Sequence, residues 1–417
     1  MKRLWKVVPP YLSDVMGLQA VVNETEGFGI IDDPAPYKPI GFGRNGGAGG
    51  HGHGHGRPDG FGRGGADGRH GGGRPGGRGK GMFPGMRVMQ SEISNADIIT
   101  GTESKVRAAL DAGREQFHPE FMLLCHAPSS SMIGSDLETM AAEHTARSGV
   151  PTAYVNADGS GDYVSGAGAT LAAMGRLLLT PQDTVPGTVN LLGCTTIDWT
   201  ADALTAAEAW LADAGFQVCS RWGMKDTTAR LRGGAAASVN LVVGAAGLPL
   251  ARYMQTEFGI PYVAGAPFGA AQCAALLERL RGGVATAKAE TETPEGAAEA
   301  LVLGEQFLAN AMRAALEARG WKNVRVASFY EMDKAQMRPG DRKLTGEDDL
   351  SALLAEEPLH LVLGDPDCRP LAKREVQWID LPNPSSMSPF EFVPARSFVG
   401  AALDAFLDEA IGKGGAN

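Results

Sequence analysis

The segments FMLLCHAP (121–128), TVNLLGC (188–194), VNLVVG (239–244) and LHLVLG (359–364) each hold a short run that is apolar at nearly every position. A strand with one wet face alternates apolar and polar residues. A strand apolar throughout is buried on both faces, the situation of a parallel sheet covered by helices. Helical patterns separate these runs, as in SDLETMAAEHTARSG (135–149), which a glycine closes. Such alternation predicts an α/β fold with parallel strands and right-handed crossovers.

The rhythm repeats in three blocks. PTAYVNA (151–157) continues the first. FQVCSRW (216–222) and PYVAGAP (261–267) belong to the second, and NVRVASF (323–329) and VQWIDLP (376–382) to the third. Three Rossmann-like, doubly wound domains are therefore expected, at 1–180, 181–290 and 291–417. The proline-bearing linkers LLLTPQDTVPG and AKAETETPEG mark the two boundaries. Before the first block, a helix is expected from Asp14 to about Glu26, then an apolar turn at Phe28–Ile31 that ends at Asp32-Asp33-Pro34. Ala96–Gly101 reads as a short strand and Glu103–Ala112 as a helix.

One tract breaks the pattern. Residues 41–85 are rich in glycine, histidine and arginine, with HGHGHGRPDG at 51–60. Such a composition has too little apolar surface to offset the entropy of ordering, so a disordered insertion is expected. Neutral imidazoles suit divalent transition metals, which makes His51, His53, His55 and His70 candidate ligands. A flexible insertion that meets metal only adventitiously is the competing reading, since loops tolerate such insertions at little cost.

Other classes are disfavoured. A net charge of −10 argues against a nucleic-acid partner. The arginine–glycine tract lacks an aromatic platform beyond Phe42 and Phe61. No run of eighteen apolar residues exists, and the basic start at MKRLWK leads into Pro9 and Pro10 instead of a signal core. No membrane partner is expected, and cytoplasm is the expected location. No GxxxxGK[ST] loop occurs, nor a GxGxxG set between strand and helix, so no nucleotide site is predicted.

Ligands of open α/β sheets sit beyond the carboxyl ends of the strands. That draws attention to the loops after Cys125, Cys194, Val243, Ala266 and Gly364. Cys194 is a candidate cleft residue, against the plainer reading of a small buried side chain. Asp365, with Asp367 close by, is another, against the reading of a turn aspartate. Cys125 and His126 are adjacent in sequence, yet on a strand they point to opposite faces. Glu305 opens a helix, where it is a proton-donor candidate if buried and a capping or solvated residue otherwise.

Seven segments in order resemble the nitrogenase component 1 family of nitrogenase-like oxidoreductases: KVVPPYLSDVMGLQAVVNETEGFGIIDDP, SEISNADIITGTESKVRAAL, HAPSSSMIGSDLETMAAE, VNLLGCTTIDWTADALTAAEAWLADAGFQV, ASVNLVVGAAGLPLARYMQTEFGIPYVAGAPFG, LGEQFLANAMRAAL and LHLVLGDPDCRPLAK. The resemblance implies three Rossmann-like domains and pairing with a homologous subunit. It also implies electrons from a separate, ATP-hydrolysing P-loop iron–sulfur reductase, and an iron–sulfur cluster at the subunit interface. The family's first two cluster cysteines fall on Gln19 and Tyr37 here, with Asp33 kept between them, and the third falls at or beside Pro128. The cofactor-ligating cysteine of nitrogenase falls near Val243. By placement, Gln19, Asp33 and Tyr37 are the residues expected to face the cluster region, and 41–85 is an insertion beside it. The resemblance thus implies half of a heteromeric reductase whose Cys-bearing partner holds most or all of the cluster ligands. The other reading is a non-catalytic metal- or cofactor-binding scaffold or carrier that uses the same fold and its His-rich loop.

Overall fold

The computed structural model describes residues 7–8, 11–33, 87–282, 298–381, 385 and 396–414. Tyr37, the insertion with His51, His53, His55 and His70, and the linker near 290 lie outside the described residues.

Among the described residues the chain forms three sheets, one in each of the three sequence blocks. The first holds β1 (Phe28–Asp32), β2 (Val88–Gln90), β3 (Met122–His126) and β4 (Thr152–Tyr154), in the order β2-β1-β3-β4. The second holds β5 (Val185–Leu192), β6 (Gln217–Trp222), β7 (Ala237–Val242) and β8 (Tyr262–Ala264), in the order β6-β5-β7-β8. The third holds β9 (Ala300–Leu303), β10 (Val324–Ser328), β11 (Arg342–Lys343), β12 (Leu361–Gly364) and β13 (Gln377–Asp380), in the order β11-β10-β9-β12-β13. Every pair of these strands is parallel. In each sheet the strand order reverses beside the first strand. This opens a crevice beyond the carboxyl ends of β1 and β3, of β5 and β7, and of β9 and β12.

Several local expectations need correction. Ala96–Gly101 is not a strand: residues Asn95–Thr100 form a helical turn. Its Ser94 hydroxyl accepts the Asp97 amide while the Asp97 carboxylate accepts the Ser94 amide, a reciprocal cap that outweighs the β-branched pair Ile98-Ile99. The first helix stops at Val22, where Glu24 and Thr25 fold back onto the carbonyls of Val21 and Val22. The apolar stretch after it is a central strand, β1, rather than a turn. The helix from Glu103 continues to Phe117, burying Val106, Ala109, Leu110 and Gly113 on one stripe, and ends at left-handed His118. The central strand β9 has no counterpart in the sequence reading. It spans Ala300–Leu303, shortly after the linker near 290.

Two glycines let a pair of helices meet backbone to backbone. The Asp14–Val22 helix lies against the Tyr163–Leu178 helix. A Cβ on Gly17 would collide with the Tyr163 carbonyl, and one on Gly166 with the Asp14 carbonyl. No larger residue permits this approach.

One apolar core runs through all three sheets, from Leu123 of β3 through Leu191 of β5 to Val302 of β9. Segments near the chain ends tie the blocks together. The Val7 and Val8 amides donate to Glu347 at 2.7 and 2.8 Å. Phe268, after β8, bridges to Val399 and Gly400. Among the described residues no helix is long and apolar enough to cross a membrane.

Candidate functional site

Two polar clusters stand at the carboxyl ends of the strands. The first occupies the crevice of the first sheet. Parallel register sets Asp32, the last residue of β1, beside His126, the last of β3. The Asp32 carboxylate accepts the Ser91 hydroxyl at 2.7 Å and lies 3.9 Å from His126 Nδ1. Ser130 donates to the Asp32 carbonyl and lies 3.4 Å from the same imidazole nitrogen. Burial pushes the Asp32 carboxyl up, against the hydrogen bond from Ser91 and the His126 charge. Burial also pushes His126 down, against the charge of Asp32. Both shifts act against ionisation, so burial outweighs the mutual attraction of the pair.

Asp33 follows directly. Its amide donates to Ser91 Oγ at 3.2 Å, and Gln90 donates to its carboxylate at 3.4 Å. Gln19 is buried on the Asp14–Val22 helix, which packs on β1. The first sheet therefore brings Gln19 and Asp33 to adjoining elements. Cys125 enters the main apolar core while His126 faces Asp32, the alternation expected of a strand.

The second cluster lies between the second and third sheets. Asp14 accepts the amides of Asp158, Gly159 and Gly161 at 3.2, 2.7 and 3.1 Å, which fixes the loop after β4. Asp162 then caps the next helix through Ser165, and Tyr163 follows, fully buried. Its hydroxyl donates to Asp198 at 2.6 Å, and Thr195 donates to the other carboxylate oxygen at 2.9 Å. Asp198 belongs to the loop after β5. Glu305, just past the end of β9, accepts the Phe307 and Leu308 amides at 2.8 and 3.0 Å, and its other oxygen accepts the Ala245 amide at 2.9 Å. Burial, then the charge of Asp198, pushes Glu305 up to about 7. Burial pushes Asp198 up to about 6, against the hydrogen bonds from Tyr163 and Thr195.

Aromatic rings back this cluster. Tyr163 meets Tyr330 edge-on at 4.9 Å, and Tyr330 meets Tyr11 at 5.1 Å. The Tyr330 hydroxyl pairs with Ser385. Asp365, just past the end of β12, caps the turn that follows by accepting the Asp367 amide at 3.0 Å, as the turn reading expects. Its charge helps raise both Tyr11 and Cys368, although burial is the main cause for each. Glu305 does cap its helix, but it is buried rather than solvated. Sequence reasoning passes over Asp198, Tyr163 and Tyr330 as site residues. Their one visible signal is polar residues at strand ends or helix starts, and the long-range pairing that unites them has no local trace.

The cysteines are free thiols, and burial favours their neutral form. Burial pushes Cys194 and Cys368 each up to about 12 and Cys273 up to about 11, and it raises Cys125 and Cys219 as well. Cys194 Sγ rests 3.7 Å from the Trp222 carbonyl. Among the described residues no three His, Cys, Asp or Glu side chains converge as a metal site. Iron–sulfur clusters take thiolates, so the described donor set does not fit such a cluster held by this chain alone.

Comparison with known proteins agrees with this architecture. The family model for nitrogenase component 1 type oxidoreductases matches residues 77–375. The nitrogenase iron-molybdenum cofactor biosynthesis protein NifE of Methanosarcina barkeri is 24% identical over 49% of this chain and 46% of that protein. One subunit of the light-independent protochlorophyllide reductase of Prosthecochloris aestuarii is 27% identical over 45% of this chain and 35% of that protein. The chain thus spans less than half the length of these curated relatives. A solved structure of nitrogenase Cp1 at pH 6.5 shares the fold with a TM-score of 0.67, at 12% identity, over 99% of this chain and 94% of that one. With its three reversed parallel sheets and the family match over most of its length, this chain belongs to the nitrogenase component 1 type oxidoreductase family.

Proposed function

We propose that this chain is one subunit of a heteromeric nitrogenase-like reductase. A homologous, Cys-bearing subunit would hold most or all of the ligands of a shared iron–sulfur cluster. A P-loop iron–sulfur reductase would deliver low-potential electrons, in the cytoplasm. The reading is supported by the family fold, by buried thiols in their neutral form, and by the burial of Gln19, the residue on which the resemblance places a cluster cysteine. On this reading Gln19, Asp33 and Tyr37 face the cluster region and this chain shapes the cleft. The role of Cys194 and Asp365 as cleft residues belongs to the same proposal, as does the division into domains at 180 and 290. Replacing Gln19 and Tyr37 with alanine in the purified complex tests it. Cluster content or turnover is expected to fall; no change in either would overturn it.

One observation favours a second reading, a metal- or cofactor-binding scaffold. A relative bears the name of a cofactor biosynthesis protein. In that case His51, His53, His55 and His70 would collect a divalent metal. Nickel, zinc or copper bound stoichiometrically to the chain alone, and lost on deletion of 51–55, would support it. Equal metal content with and without those residues would exclude it.

A further inference from the structure

Three tyrosines from separate elements touch in a row that the proposed function does not use. Tyr163 opens the Tyr163–Leu178 helix, Tyr330 follows β10, and Tyr11 precedes the Asp14–Val22 helix. The rings of Tyr163 and Tyr330 meet edge-on with centroids 4.9 Å apart, and those of Tyr330 and Tyr11 at 5.1 Å. Tyr163 and Tyr330 are fully buried, whereas Tyr11 is half-buried. At the inner end of the row the Tyr163 hydroxyl donates to Asp198 at 2.6 Å. We propose that Tyr163 is a redox-active residue, which gives one electron through Tyr330 and Tyr11 to a one-electron oxidant such as an oxygen-derived radical, and its proton to Asp198.

The proton has a place to go. An oxidised ring that kept its proton would be a cation inside the core, which is costly. Asp198 removes that cost, because 2.6 Å is within the reach of a general base. Thr195 donates to the other carboxylate oxygen at 2.9 Å and so fixes the acceptor. Burial raises Asp198 only to about 6, so above neutral pH it is chiefly a carboxylate, while Tyr163 is a neutral phenol. The step balances. Tyr163 loses one electron to the oxidant and its O–H bond breaks, while an O–H bond forms on Asp198. A neutral phenoxyl radical and a neutral carboxylic acid remain, so the pair ends without charge. The electron has a path as well. The rings lie at the contact spacing of aromatic pairs, and the half-buried Tyr11 offers an oxidant in solvent the outer end. Trapping a radical before it attacks a low-potential centre is a use that rests on the proposed function; the redox activity of Tyr163 does not.

Flash photolysis of the full chain above neutral pH tests this, with a ruthenium(II) polypyridyl sensitiser and a cobalt(III) ammine as electron acceptor. The ruthenium(III) so formed is the one-electron oxidant, and electron paramagnetic resonance of frozen samples reads the tyrosyl radical. A persistent radical is expected in the wild type, since Tyr163 is shielded from solvent. Y163F keeps the ring and is expected to lack that radical. D198N keeps the shape of the side chain but removes the base, so formation is expected to slow by about a hundredfold. Y330L removes the middle ring and is expected to lower the yield. Y253F, a half-buried tyrosine that packs on Phe258 instead, is expected to keep the signal. No persistent radical in the wild type, an unchanged signal in Y163F or Y330L, or equal rates in D198N and wild type overturns the proposal. If D198N does not fold, heavy water decides: it is expected to slow formation in the wild type, and equal rates in light and heavy water overturn the proposal. Each outcome is read without a cluster or partner subunit, so failure here is distinct from failure of the reductase reading.

Discussion

Glu305 accepts the amide of Ala245 at 2.9 Å, so a single carboxyl joins the loop after β7 to the helix that follows β9. That one bond crosses between two sheets in a buried place. Its strength depends on the charge of Glu305.

The stability of the chain is therefore expected to depend on pH through this residue. The folded pKa of Glu305 is raised from 4.5 to about 7. A raised pKa gives stability that is present below the unfolded value and lost as pH rises through the folded one. From Glu305 alone, stability falls between pH about 4.5 and 7, by roughly 3 kcal/mol at about 1.36 kcal/mol per unit. Urea unfolding at several pH values is expected to show a shallower decline in E305Q than in the wild type. Equal slopes would mean Glu305 titrates as if exposed.

Replacing Tyr163 with phenylalanine removes the 2.6 Å hydrogen bond to Asp198 and leaves the ring in place. Hydrogen bonds to charged groups contribute about 1.5–3 kcal/mol, so a loss in that range is expected above neutral pH. It should shrink at acid pH, where Asp198 is neutral. Denaturant midpoints at two pH values distinguish this from a loss of packing, which would not vary.

Gly166 is expected to be the least replaceable position of its helix. An alanine there meets the Asp14 carbonyl, which cannot move without shifting the whole Asp14–Val22 helix. Overpacking of this kind costs about 1–3 kcal/mol or more. G166A should lower the unfolding midpoint strongly, while alanine at Gly412, where nothing lies within 4 Å, should not.

Arg313 and Asp341 form a buried ion pair at 2.7 Å in the third block, and Asp341 also accepts the Val326 amide at 3.0 Å. Removing one partner strands the other charge. D341A is expected to cost about 3–5 kcal/mol, measured by thermal or denaturant unfolding. A loss below about 1 kcal/mol, the range of exposed pairs, would show that water reaches Arg313.

The legible part of this fold is the part with a period. Strands with a buried apolar run, such as Thr188–Leu192 of β5, and clearly capped helices such as Leu137–Ser148 stand out because their apolar runs and closing glycine are local signals. Strand β9 escapes because its apolar run follows the polar linker at the block boundary, and β1 because Gly29 interrupts it and Asp-Asp-Pro follows like a turn. The Asn95–Thr100 turn misleads because Ile98 and Ile99 suggest a strand, whereas its cap lies in the spacing of Ser94 and Asp97. At the site, the resemblance points to Gln19 and Asp33, which do lie on adjoining elements. The Tyr163–Asp198 bond spans 35 positions and the Glu305–Ala245 bond 60. Bonds set by how sheets stack leave no mark on either local sequence.

Iron and acid-labile sulfide, measured with a visible spectrum on protein purified without oxygen, test the central claim most directly. The chain would be studied alone and then co-expressed with its homologous partner. The account predicts iron and sulfide in the pair and neither in the chain alone. A cluster on the chain alone, or none in the pair, would contradict it.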